Sequence, residues 1–232
     1  MKLRDSAQPQ AAVLPVVVAT RRRVSLPAAA FTAALLMVLA LLVGCDSDTA
    51  KPAAKPEVKA PELLTGRGAF QKVFIAARNY AVDVRPFRIE STPSTESNGQ
   101  DGKSAIWRAS FASAAQKGVK PFFLSGSNAP DAPSRGVSPG NEDIYNPSNA
   151  STQIFDVAFL KVDSDQASAE ALKHGGDKIL EKDPATPVVY VCDWNHNTNE
   201  LVWHVIYGAS RETAKLTVAV NATTGAFIRV EK

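Results

Sequence analysis

The sequence predicts an α+β protein: a helix packed on an antiparallel β-meander, in two related units. Three observations carry this. A segment of helical period opens at Gly66 and is followed by short stretches of alternating polarity; the same order of patterns recurs after residue 163; and a proline- and glycine-rich stretch, 126–153, separates the two.

Residues 1–44 read as an address. Arg21-Arg22-Arg23 precede an apolar run from Val24 to Val43, which closes on Leu42-Val43-Gly44-Cys45. A basic segment, an apolar core and a small residue make the pattern of a secretory signal peptide. The last four residues resemble the bacterial lipobox, in which an apolar residue and two small ones precede an acylated cysteine. That resemblance implies cleavage between Gly44 and Cys45 and fatty acyl chains, such as palmitate, on Cys45. It also implies a lipoprotein of the cell envelope, anchored to a membrane and facing the periplasm or the exterior. The arginines stay cytoplasmic, and more than one acyl chain makes such an anchor stable. The apolar run also has the roughly 17–25 residues that a transmembrane helix needs. In either case everything beyond residue 45 faces away from the cytoplasm.

Composition narrows the rest. The chain carries 26 basic and 23 acidic residues. Five of those bases and one acid precede Cys45, which leaves 21 against 22. A near-neutral domain lacks the concentrated basic surface that nucleic-acid binding requires. With Cys45 committed to lipid, Cys192 has no partner for an intrachain disulfide.

From Cys45 to residue 64 the chain is a proline-rich tether with almost nothing to bury. The first unit spans 65–125. Phe70, Val73, Phe74, Ala77, Tyr80 and Ala81 fall three and four apart on one helical face, Thr65 is the N-cap candidate, and Pro86 places the end near Asp83. Three strands follow, 87–91, 105–113 and 120–125. In the second, Trp107, Ala109 and Phe111 alternate with Ile106, Arg108 and Ser110. Residues 126–153 show no period and read as a linker loop.

The second unit spans 154–232. It reads as a strand over 154–162, then N-cap candidates Asp163 and Asp165, then a helix through Ala167, Ala171, Leu172 and Ile179. Gly175-Gly176 inside that helix costs about 1 kcal/mol per glycine relative to alanine, so either something packs closely there or the helix breaks. Residues 188–194 and 201–207 form a hairpin across the polar turn 195–199, and strands over 215–220 and 226–230 follow, joined at Gly225 where a tight turn needs positive φ.

Residues 216–228, preceded by Leu201-Val202-Trp203-His204-Val205, resemble the end of a PepSY domain: a Trp-bearing strand, a further strand, an Asp-x-x-Thr-Gly turn and a last strand. Asn221 stands where the family has Asp. Trp107 occupies in 66–125 the place that Trp203 has in the second unit, without the Thr-Gly turn, and the chain reads as a tandem of PepSY-like units, the first degenerate. The resemblance implies a small extracytoplasmic module that binds or regulates a peptide or protein, as in peptidase inhibition, and is not an enzyme.

The chemistry-bearing residues give two further readings. Cys192 and His204 lie on paired strands, the arrangement a thiol nucleophile and its base would need, although a lone cysteine is more often a small buried hydrophobe. Trp194, Trp203 and Tyr207 are the candidate aromatic binding surface, although sheet aromatics are more often core. His174, His196 and His204 lie on a helix, a turn and a strand without metal-ligand spacing, and Asp163, Asp165 and Asp193 read as caps and turns. The expectation is a non-catalytic envelope lipoprotein without metal or cofactor. The alternatives are a structural envelope component and an enzyme using Cys192 and His204.

Overall fold

A computed structural model describes residues 59–231, which form one compact unit. Its elements in order are β1 (Leu64–Thr65), α1 (Gly66–Tyr80), β2 (Arg85–Ser91), β3 (Lys103–Ser104), β4 (Ile106–Ser113), β5 (Gly118–Ser125), β6 (Gly136–Pro139), β7 (Asp143–Ile144), α2 (Ser164–Ala171), α3 (Asp177–Lys182), β8 (Val188–Asn195), β9 (Glu200–Tyr207), β10 (Leu216–Asn221) and β11 (Phe227–Glu231). The α+β class is as the sequence predicts, with helices packed on one face of an antiparallel sheet. Among the described residues no helix is long and apolar enough to cross a membrane.

The two helix-plus-meander segments share that sheet. Its strand order is β11-β10-β9-β8-β2-β4-β5-β6, with β7 beside β6 on the outer side of β5. The meanders meet at their first strands, where Arg88, Ile89 and Glu90 pair with Asp193, Cys192 and Val191. The short pair β1–β3 stands apart from it.

Strand alternation sends one residue in two to the helix side. Ile89, Trp107, Phe111, Tyr190, Cys192, Trp203, Val205 and Val218 go there and form a single core with Phe70, Val73 and Ala77 of α1 and Ala167 and Ala171 of α2. Phe70, Phe74 and Phe111 stack with ring centroids 5.3–5.9 Å apart, and Phe122 meets Phe111 edge-on at 6.0 Å.

Trp107 and Trp203 mark the middle of that core. Their rings meet edge to face at 6.4 Å. Each indole N–H donates to a carbonyl two residues ahead of a helix: Trp107 to Leu64 O at 2.8 Å, Trp203 to Val162 O at 3.0 Å. Gly66, the first residue of α1, lies against both rings; a Cβ there would come within 2.6 Å of Trp203 and 2.9 Å of Trp107.

The helix starts are tied together just beside this pair. The Asp163 carboxylate caps α2 through Ser164 N at 2.7 Å, completes a capping box with Gln166, and also accepts Arg67 N of α1 at 2.8 Å. Thr65, which caps α1 through Gly68 N, donates its hydroxyl to Asp163 at 2.7 Å, and Ser164 Oγ accepts Gly66 N at 2.7 Å. One carboxylate thus serves the positive ends of two helix dipoles.

Three expectations need correction. α1 stops at Tyr80, three residues early, because Ala81 is already extended. Residues 126–153 are not wholly loop: β6 and β7 pair with β5, while Lys59, Ala60 and Glu62 of the tether's end bond to Asn128, Arg135 and Gly126. Residues 154–162 form no strand; Asp156 caps a single 3-10 turn at Val157–Phe159, since its side chain takes the Ala158 N–H. At Gly175-Gly176 both of the expected alternatives are realised: the second helix is broken by a wide turn over Leu172–Gly176, in which Gly175 has φ of 107°, and Gly176 packs so closely that a Cβ there would clash with the Tyr207 hydroxyl.

Candidate functional site

The side chains that alternation sends away from the helices build the second face of the sheet. On β2 and β4 these are Arg88, Glu90, Arg108 and Ser110; on β8 and β9 Val189, Val191, Asp193, Val202, His204 and Ile206; on β10 and β11 Thr217, Ala219, Arg229 and Glu231. Val202, Ile206 and Ala219 are fully buried and Val189 nearly so. A thin apolar floor therefore lies beneath charged groups.

His204 is the hinge of the charge pattern. It is 6 % exposed, its Nδ1 is 2.7 Å from Glu231 Oε2, and its Nε2 is 3.1 Å from Asp193 Oδ1. Two carboxylates can both be served only by an imidazolium, which has two N–H donors. Burial by itself pushes the imidazole down, but the bonds to Asp193 and Glu231 outweigh it and His204 is raised above its ordinary value. Burial likewise opposes ionisation of Asp193 and Glu231, yet both are held below the usual carboxylate range, chiefly by His204 and further by Arg88 or Arg229 and by Arg211. The other carboxylate oxygens are taken as well: Arg88 reaches Asp193 Oδ2 at 3.3 Å and Arg229 reaches Glu231 Oε1 at 2.7 Å. Arg211, from the exposed segment between β9 and β10, approaches both acids but only to 3.8 Å, too far to hydrogen-bond.

Two of the grooves on this face lie beside Arg88 and Arg108. The larger, about 590 Å³, runs over β4 and β5 and is lined by Phe87, Arg108, Ser110, Pro121 and Phe123, with Asn141–Asp143 along its rim. The other, about 230 Å³, has Val189, Val191 and Ile206 beneath it, Arg88 and Glu90 to one side, and Ala209–Glu212 to the other. A register shift between Pro86 and Arg88 leaves Phe87 unpaired, so Phe87 and Arg88 both line grooves on this face. Arg108 pairs with Glu90 at 3.0 Å and lies over the Phe123 ring, 6.0 Å from its centroid. The Nε atoms of Arg88 and Arg108 are buried without an acceptor.

The residues singled out in the sequence are placed elsewhere. Cys192 pairs in register with Trp203, and His204 with Val191, so thiol and imidazole lie on opposite faces of the sheet and do not meet. Cys192 is fully buried, and that burial pushes its thiol well up. Trp203 and Tyr207 are 0 % and 1 % exposed under the helices. Trp194 is half-buried against Phe159 at 5.2 Å. The three therefore line the core side and form no exposed platform, because Trp203 and Tyr207 share the parity of Cys192 across the hairpin. His174 bonds Glu170 at 3.1 Å and stacks on Phe227 at 3.7 Å, and His196 sits in the β8–β9 turn. Among the described residues no group of three or more His, Cys, Asp or Glu is arranged to hold a metal. Gly44 and Cys45 lie outside the described residues.

Sequence reasoning missed Arg88, Arg108, Phe123 and Arg211. A trace was present in the alternation of Arg88 with Ile89 and of Arg108 with Trp107 and Ala109, which marks a charged face opposite the core face. Arg211 left no such trace, since its segment has no period. Comparison with known proteins adds no relative: no family model, no curated protein and no solved structure matches the chain.

Proposed function

We propose that the protein is a non-catalytic binding module of the bacterial cell envelope, held to a membrane by lipid on Cys45, that takes a peptide or protein partner on the second face of its sheet. One observation carries the reading: the chemistry is divided between the two faces. The thiol and the large aromatics are locked into the helix side, while the second face offers arginines, an accessible Phe123 and two grooves over an apolar floor. Grooves that combine apolar lining with a few placed polar groups are the usual form of a recognition site. Cys192 and His204 lie on opposite faces, so that thiol is out of reach of that imidazole. The PepSY-like pattern over 201–228 points the same way, toward a module that binds or regulates a peptidase or other envelope protein.

A photo-crosslinking residue placed at position 123, on the second face, and in a parallel variant at Gln71, on the exposed side of α1, tests this in the membrane fraction of cells making the full chain. A discrete adduct from position 123 alone is expected. Equal adducts from both positions, or none from 123, would overturn the assignment of the face. The anchor is tested by intact mass beside Cys45→Ala: the wild type should lose residues 1–44, gain acyl mass and partition with membranes, and the variant should keep its leader.

A further inference from the structure

We infer that the segment 209–214, between β9 and β10, is a pH-governed strap over the second face. Arg211 stands off Asp193 and Glu231 while His204 is protonated. Once His204 gives its proton to solvent, Arg211 bonds to the carboxylate left without a donor and draws the segment down on the sheet. Any effect on a partner rests on the binding reading above; the movement itself does not.

The segment is held at its ends and loose at its middle. Gly208 N–H donates to Pro187 O and Lys215 N–H to Tyr207 O, each at 2.8 Å, and a Cβ on Gly208 would come within 2.9 Å of Ala214 Cα, so the two ends lie side by side. Between them Ala209, Arg211, Glu212 and Thr213 are exposed, and the hydroxyls of Ser210 and Thr213 meet at 3.2 Å. Arg211 lines two grooves of about 230 Å³ each, one floored by Val189, Val191 and Ile206, the other bordered by Leu216, Thr217 and Glu231. Since Ala209–Glu212 form one wall of the first groove, a strap drawn down covers its apolar floor.

The trigger lies in the number of donors. With both ring nitrogens protonated, His204 serves Glu231 Oε2 and Asp193 Oδ1. Arg88 holds Asp193 Oδ2 and Arg229 holds Glu231 Oε1, so every carboxylate oxygen is engaged and Arg211 is left 3.8 Å from each acid. A neutral imidazole has one N–H, and its other nitrogen then turns a lone pair toward a carboxylate oxygen. The side chains of Asp193 and Glu231 are 22 % and 16 % exposed, so water is a poor substitute for the lost donor. Among the described residues Arg211 is the one cation beside the two acids that no hydrogen bond holds, and a shift of about 1 Å brings it into bonding range. Loss of the proton also removes the imidazolium charge that opposes Arg211.

The other charged groups around His204 do not titrate with it. Asp193 on β8 and Glu231 on β11 are held below the usual carboxylate range, and Glu212 in the strap is lowered by its bond from Ser210. Glu90 on β2 is paired with Arg108, and Arg88, Arg229 and Arg211 stay charged. β10 brings Thr217 and Ala219 to this side, neither of which titrates.

Electron spin resonance of the full chain in detergent tests the movement. A nitroxide is attached at Thr213→Cys, with Cys45→Ala so that no second thiol is accessible. As pH rises from about 5 to about 8.5, the immobilised fraction of the label should grow about threefold or more. The midpoint should lie above 6.5. Arg211→Gln should leave the label mobile throughout. His204→Gln, whose amide donates on one side alone, should leave it immobilised throughout, and a label at Asn197→Cys in the β8–β9 turn should not respond. No response in the parent chain, mobility that rises with pH, an equal response at position 197, or a response that survives either substitution would overturn the inference. Should His204→Gln fail to fold, the Arg211→Gln comparison decides alone, because that side chain is 43 % exposed and only approaches its acids.

Discussion

Trp107 and Trp203 are equivalent in chain order, in partner and in burial, which leads to a quantitative expectation. Changing either to Phe keeps an aromatic ring but removes the N–H donated to Leu64 O or Val162 O. Leaving a buried carbonyl without that donor costs about 1–3 kcal/mol, and the smaller ring leaves a void worth about 1 kcal/mol more. Each single variant should therefore lose about 2–4 kcal/mol, a large part of the roughly 5–15 kcal/mol of a typical domain. The rings touch edge to face at 6.4 Å and both press on Gly66, so the losses should not add. A double-mutant cycle should give a coupling of about 0.5–3 kcal/mol. Urea unfolding of the full chain, followed by circular dichroism and by the fluorescence of Trp194, measures all four corners. A coupling within about 0.3 kcal/mol of zero, or a loss below about 0.5 kcal/mol at either position, would refute the claim that one shared contact holds the two helix starts over the sheet.

Three further outcomes follow from the same structure. Gly66→Ala should destabilise the fold by about 1–3 kcal/mol in the same urea assay, because its Cβ would meet two packed indole rings. The His204 cluster should confine stability to a pH window. His204 is raised above 6.5, so its contribution is complete below that value and is lost as pH climbs through the folded-state value; Asp193 and Glu231 are lowered from 3.8 and 4.5, so theirs is complete above those values and is lost as pH falls through the folded-state values. Thermal midpoints should therefore peak between about 4.5 and 6.5, and His204→Gln should abolish the loss on the alkaline side. Cys192 should resist a thiol reagent in the folded Cys45→Ala chain and react once urea unfolds it, since the thiolate is the reactive form and burial disfavours it; rapid labelling of the folded chain would contradict its place in the core.

Much of the fold was legible because its signals are local. The stripe Phe70, Val73, Ala77 makes α1 amphipathic wherever it packs, and the alternation through Trp107, Ala109 and Phe111 gives β4 one large apolar face whatever its neighbours. The 154–162 stretch misled for the converse reason. Its apolar residues Phe155, Val157, Phe159 and Leu160 look like a strand, but Phe155 and Leu160 are anchored singly in the core and the backbone between them turns.

The candidate site was less legible, because it depends on register between strands distant in sequence. Cys192 and His204 lie on neighbouring strands, and a slip of one residue would have brought them to the same face; the pairing of Cys192 with Trp203 decides against it. Likewise, nothing near Arg88 in sequence indicates Asp193, 105 positions away, as its partner. By itself the sequence determined α1 and the longer strands and which side of each is apolar, since propensity and periodicity act over a few residues. The tertiary structure alone decided that two meanders join at β2 and β8 into one sheet, that Asp163 caps both helices, and that arginines from four separate segments converge on one face. Those are contacts between residues far apart along the chain, and only the packed core sets their register.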